Sequence, residues 1–258
     1  MSAWTFSIGE FPLDILLPAL CAGLLVIATH VPLGTQVLQR GIIFIDLAIA
    51  QVAGLGAYLV TMLLGQEASP VWIQSGAVLL ALLAAWLLVA TERLSQRYQE
   101  PLIGIVFVLS ATAVILLLAK DPHGGQHLSD LLAGQILWIS REQIQYAALA
   151  TGLILLAMRF LRHRRDAFYS VFAIAITVSV QLVGVYLVFA TLIIPALSTV
   201  LLQQSRQRIW AGYLTAVVGY ALGLFGSAYF DLPTGPLVVW ALAFAGLLMA
   251  IVIRSRCR

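Results

Sequence analysis

The sequence is short of charge. Of its 258 residues only 10% are Asp, Glu, Lys or Arg, against about 25% in an ordinary soluble domain. A large core does not account for that deficit. With 62% hydrophobic residues and a mean hydropathy of +1.01, the chain reads as one polytopic transmembrane domain over 1–258, with no room for a soluble one. Cysteine is scarce too. Cys21 lies inside the first apolar run and Cys257 is one residue from the end, which excludes a disulfide framework and a zinc-type cysteine cluster. The signatures of phosphate-loop ATPases, serine hydrolases and zinc hydrolases (G-x-x-x-x-G-K-[ST], G-x-S-x-G, H-E-x-x-H) are all missing, so no enzyme is expected. The net charge of +3 gives no reason to expect a nucleic-acid partner. The opening "MSAWTFSIGEFPLD" lacks a basic n-region and a clear cleavage site, so the first span is read as retained. There is no convincing internal repeat.

What the chain has is long apolar runs. Crossing the hydrocarbon core takes about 20 mostly apolar residues. Nine windows qualify or nearly do: 13–32, 42–64, 70–90, 102–119, 144–160, 167–183, 185–202, 209–229 and 236–253. The sixth and seventh form one run too long for a single span, and a tight reversal near Gly184 would divide it.

Charge tests the count. With the N-terminus outside, the inner ends hold Arg40, Arg93, Arg97, Arg159, Arg162, Arg164, Arg165, Arg206, Arg208, Arg254, Arg256 and Arg258, which is 12 of the 14 basic residues. Only Lys120 and Arg141 remain outside. That bias fits the positive-inside rule, and merging spans six and seven would scramble it. The expected fold is an all-α membrane bundle of about nine helices, N-terminus out and C-terminus in. The outer segment "LSDLLAGQILWI" (128–139) is too short to span and reads as an interfacial or re-entrant helix, with Ser129 or Asp130 near its N-cap.

Two interruptions stand out in "QRGIIFIDLAIAQVAGLGAYL" (39–59): Asp46 and Gln51. An ionisable group at membrane depth costs roughly 2.5–3.5 kcal/mol on insertion scales, so it calls for a function or a partner. Asp46 is a candidate for the transport path and for a metal ligand. It is equally a candidate for a structural partner of Arg40 or Arg97. Gln51 and Gln181 are path candidates, each set against a plain helix–helix hydrogen bond. His123 and His127 frame "HGGQH" beside Asp121 and Asp130; two imidazoles and two carboxylates there could catch a metal, though a solvated loop also explains them. His30 reads as a satisfied interface histidine. His163, within "RFLRHRR", suits phospholipid headgroups. Gly54 and Gly56 read as close-packing positions.

Five stretches, in order and touching most spans, carry a resemblance: "RGIIFIDLAIAQVAGLGAYL" (40–59), "EPLIGIVF" (100–107), "LSDLLAGQILWISREQI" (128–144), "LVGVYLVFATLIIPALSTVLL" (182–202) and "AYFDLPTGPLVV" (228–239). Together they resemble the permease subunits of ATP-binding-cassette importers for divalent metals. The resemblance implies a homodimeric permease of the bacterial inner membrane, with its metal path near the two-fold axis. It implies two cytoplasmic ATPase subunits, an extracytoplasmic metal-binding protein, and a divalent metal as cargo, zinc ahead of manganese or iron, with no bound cofactor. The alternative is an ATPase-independent channel or carrier, or a divergent permease with another substrate. Where the family reads "RGI-F-GDALSH", its Asp and His fall on Leu47 and Gln51 here, and Asp46 is displaced by one position, about 100° round a helix. The family also carries a longer coupling segment between spans five and six, where this chain has only "RFLRHRRDAFYS". Contact with an ATPase would then fall to Arg162, Arg164 and Arg165, or to Arg206 and Arg208. Pro195, in "LIIPAL", would kink a helix beside the path.

Overall fold

In the computed structural model the described residues are 13–65, 68–94, 99–118, 136–161 and 165–256, with side chains described except at 13, 91–94, 165, 166 and 256. Nine α-helices are found among them: α1 Leu13–Arg40, α2 Ile45–Leu64, α3 Pro70–Leu94, α4 Gln99–Leu118, α5 Arg141–Phe160, α6 Arg165–Val183, α7 Val185–Ser198, α8 Ser205–Phe230 and α9 Thr234–Arg256. Each corresponds to one apolar window, and no strand occurs among the described residues. Seven of the nine are long and apolar enough to cross a membrane; Ala167–Val183 and Val185–Ser198 are shorter apolar helices. Only a 3-10 turn, Ile136–Trp138, is described of the segment read as an interfacial helix. Ser129 and Asp130 lie outside the described residues.

The reversal at Gly184 is present. Its backbone sits at φ 81°, ψ 163°, a conformation open essentially to glycine alone. Hydrogen bonds from Gly184 N to the Val180 carbonyl (2.8 Å) and from Val188 N to the Gly184 carbonyl (3.1 Å) close both helix ends against the corner. Beyond it the two helices diverge: α6 packs on α3, α5 and α2, and α7 on α1 and α9.

Close contacts set the helix directions. A Cβ on Gly23 would meet the Tyr220 ring, and one on Gly212 would meet Val31 at 3.0 Å, so α1 and α8 run antiparallel. Thr191 shares a 2.9 Å hydrogen bond with the Tyr220 hydroxyl, while Pro195 lies beside Gly212, so α7 runs with α1. In the α8–α9 pair Gly219 faces Leu242 and Gly226 faces Leu237, again antiparallel. The closest approach is at Gly34, where any Cβ would overlap the Leu192 carbonyl oxygen. Gly56, read as a packing position, fills that role: its Cβ would stand 2.5 Å from the Gly76 carbonyl oxygen.

One consequence concerns charge. Arg40 ends α1, Arg159 lies in the last turn of α5, Arg206 and Arg208 open α8, and Arg254 closes α9. The antiparallel and parallel pairings bring all of these to one end of the bundle, with Arg141 at the opposite end of α5. These arginines, which the sequence scatters over four segments, therefore share one end of the bundle.

Candidate functional site

The site is built at the arginine-bearing end, where α2 begins. The residue before the helix, Phe44, supplies no side-chain cap. Glu100, from the first turn of α4, takes that role: its Oε1 accepts from Ile43 N at 2.9 Å and Phe44 N at 3.4 Å. A carboxylate there meets otherwise orphaned N–H groups and the positive end of the helix dipole. Its other oxygen, Oε2, is buried with no hydrogen-bond partner.

Asp46 follows in the first turn of α2. It is only 1% exposed; its carboxylate faces the backbone N–H groups of Asp46 and Leu47, but no well-formed hydrogen bond reaches either oxygen among the described residues. Glu100 lies within electrostatic reach of it. Arg40, one of the two cations considered as its partner, is engaged elsewhere: its guanidinium sits 4.1 Å over the centre of the Phe168 ring and 5.8 Å from that of Tyr169. The other, Arg97, lies outside the described residues. Beside this group Gln99 donates from Nε2 to the Tyr169 hydroxyl at 2.6 Å, joining α4 to α6. A buried acid, Asp46, and a half-buried one, Glu100, therefore stand at a helix entrance, while Arg40 is stacked on an aromatic ring.

Gln51 is buried five residues further along α2, and its amide makes no hydrogen bond among the described residues. Leu47, where the family's acid would stand, is partly buried against the core. Gln181 is exposed near the corner at Gly184. His123 and His127 lie outside the described residues, as do Arg162, Arg164 and the side chain of Arg165. Of the remaining arginines proposed as ATPase contacts, Arg206 is exposed, whereas Arg208 donates to the Val200 carbonyl at 2.6 Å and so secures the α7–α8 turn. His30 is fully buried, its Nδ1 lying 2.9 Å from Thr29 Oγ1 and 3.0 Å from the Val26 carbonyl, while Nε2 has no partner. Pro195 is buried inside α7, which continues past it. Among the described residues no three His, Cys, Asp or Glu side chains are placed to hold a metal ion together.

Sequence reasoning assigned no role to Glu100 or Gln99. An acid immediately before a proline and an apolar run signals a helix start, but not which helix the acid will cap.

The α5–α6 connection is as short as the sequence implied. α5 ends at Phe160 and α6 opens at Arg165, leaving four residues, too few for another helix.

Comparison with known proteins places this architecture. The profile of the ABC 3 transport family matches residues 12–166 and 165–254, two pieces meeting at that short connection. A protein of Haemophilus influenzae named "Probable iron transport system membrane protein" is 25% identical over 163 residues, 55% of this chain and 60% of that one. The manganese transport system membrane protein MntB of Synechocystis is 25% identical over 163 residues, 55% of this chain and 53% of its own length. The matched segments thus span little more than half of these relatives. In three dimensions the chain superposes on a chain of PsaBC from Streptococcus pneumoniae, solved in complex with Fab, with a TM-score of 0.75, covering 94% of this chain and 95% of that one at 22% identity, which is a likeness of fold. A helical bundle with seven membrane-length helices, matched by one family profile from residue 12 to residue 254, makes this chain a member of the ABC 3 transport family, a multi-pass protein of the bacterial inner membrane.

Proposed function

We propose that this chain is the transmembrane permease of a divalent-metal importer, working as one of two copies and powered by ATPase subunits carried on another polypeptide. The family match along practically the whole chain carries this reading. The absence of a phosphate-loop motif from the sequence requires the energy to come from a partner. An extracytoplasmic metal-binding protein would deliver the cargo. The chain crosses the membrane nine times as a single domain, N-terminus out and C-terminus in. The arginine-bearing end then faces the cytoplasm, as the positive-inside rule requires. Arg206, exposed at that end, belongs to the surface that meets the ATPase, together with Arg162, Arg164 and Arg165. Arg208 supports it from the turn.

The cargo is a divalent metal, zinc ahead of manganese or iron on the family resemblance, with two features of this chain pulling toward manganese or iron. Where the family pairs an acid with an imidazole this chain has Leu47 and Gln51, with Asp46 one position away; the donors left near that place are oxygens, and hard oxygen ligands suit Mn²⁺ better than they suit Zn²⁺. The names of the two relatives point the same way. His123 and His127 would serve at the outer entrance, and Gln181, exposed beside the Gly184 corner, would line the path.

The test is deletion of the chain from its native strain, with cellular manganese, iron and zinc measured under starvation. A fall in one metal, restored by the wild-type chain only while ATP is available, is the expected result. Unchanged levels of all three would end the reading. The short α5–α6 connection favours one rival, a carrier independent of ATPase. Uptake that survives ATP depletion but collapses with the membrane potential would select it.

A further inference from the structure

At the arginine-bearing end a small open groove of about 30 Å³ lies between α1, α5 and α6. Its lining includes Leu33, Gln36 and Arg40 of α1, Met158 at the end of α5, Leu161 beyond it, and Phe168 of α6. The charge in it is unspent. Arg40 takes part in no ion pair or hydrogen bond among the described residues, and its guanidinium lies 4.1 Å over the Phe168 ring. A guanidinium whose face is covered by an aromatic ring keeps its in-plane N–H groups for an acceptor, and that fork matches a phosphate bidentately. Glu100, the nearest described acid, spends one oxygen on the start of α2.

The surroundings have the polarity of a lipid interface. On one side the apolar walls, Leu33 and Met158, continue into the seam between α1 and α5. The outward side chains of α5, among them Leu153, Leu156 and Phe160, are exposed and apolar. In sequence the stretch after Met158 holds Arg159, Arg162, Arg164 and Arg165, with Asp166 as its one acid. Basic pockets between membrane helices on the cytoplasmic side are where anionic headgroups settle.

We propose that this groove is a binding site for an anionic phospholipid, its phosphate on Arg40 and the head of an acyl chain along Met158 and Leu161. The bound lipid caps an otherwise unpaired cation and seals the seam of α5, the most exposed of the membrane-length helices. The site does not depend on which metal the chain carries, nor on whether an ATPase drives it.

Native mass spectrometry of the full chain in detergent, titrated with phosphatidylglycerol or phosphatidylcholine, reads the site directly. Wild type should retain phosphatidylglycerol over phosphatidylcholine. Arg40→Gln should cut that retention about tenfold, as loss of a bidentate charged contact does. Met158→Trp, which fills the groove and leaves the charge alone, should cut it similarly. Arg254→Gln, a cation at the same end but outside the groove, should leave it unchanged. Photo-crosslinking phosphatidylglycerol added to wild type should label Gln36, Arg40, Met158 and Leu161, a readout that holds even if a variant does not fold. Equal retention of both lipids, labelling confined to other segments, or full retention by folded Arg40→Gln would overturn the proposal. So would an Arg40→Gln chain that keeps its lipid and loses a cytoplasmic ATPase subunit, since the groove would then be a seat for protein.

Discussion

On one side of the bundle α1, α7, α8 and α9 approach closely at glycines, each facing a backbone or an apolar or aromatic side chain of its neighbour. Gly34 meets a backbone carbonyl of α7, and Gly219 and Gly223 meet α9 directly. At the arginine-bearing end α2, α4 and α6 are joined by polar groups: Glu100 on the start of α2, Gln99 on Tyr169, and Asp46 between them without a partner. The first region follows the rule for helices in lipid, where no hydrophobic drive exists between helices and small residues give dispersion contact. The second keeps a buried acid that stability alone would remove. One region is held by close packing, the other by polar groups around a buried acid, and the two should respond differently to substitution.

The sharpest way to break that contrast is Gly34→Val. The added atoms would fall on the Leu192 carbonyl, which cannot yield as a side-chain tip can. A loss of about 3 kcal/mol is expected, visible as a lower melting temperature and aggregation in size-exclusion chromatography. Wild-type behaviour would show that α1 and α7 do not approach as described.

Next in size is Asp46→Leu, where stability and function should move in opposite directions. Replacing a buried unpaired acid with an apolar residue should stabilise the chain by about 2 kcal/mol, while metal uptake falls. Asp46→Asn should lower uptake at unchanged abundance. If both variants transport normally, the acid is a structural relic.

Glu100→Ala removes the acceptor for Ile43 N and Phe44 N. About 1–2 kcal/mol should be lost, with faster hydrogen exchange confined to the start of α2. Protection unchanged at 43 and 44 would remove Glu100 from its capping role.

The smallest effect belongs to Gly152→Ala in α5. Nothing lies within 4 Å of the added Cβ, so a gain of about 0.5 kcal/mol from helix propensity is the expected result. A clear loss would mean that α5 is covered by something tighter than lipid.

Much of the fold was legible in advance. Each apolar window became a helix, because length and polarity leave a segment in lipid little choice of structure. The Gly184 reversal was readable from length alone, and Gly56 from its neighbours. The "SREQ" capping box at α5 was equally readable and was overlooked: Ser140 Oγ accepts from Gln143 N at 3.2 Å, and Gln143 Oε1 accepts from Ser140 N at 2.8 Å. The site was another matter. Arg40 and Asp46 lie six residues apart, which made an ion pair reasonable; the structure instead lays Arg40 on a ring 128 positions later in the chain. Glu100 caps a helix that begins 55 residues before it, and no local pattern carries such information.

The sequence by itself determined that this is a membrane bundle, how many apolar helices it has, and which segments carry its arginines, since each of those is a property of a single segment in lipid. Tertiary structure alone decided that the arginine-bearing helix ends meet on one face, that Asp46 is enclosed without a partner, and that Glu100 and Arg40 take the neighbours they do. Those outcomes depend on which helices pack together, and packing is settled by contacts between residues far apart in the chain.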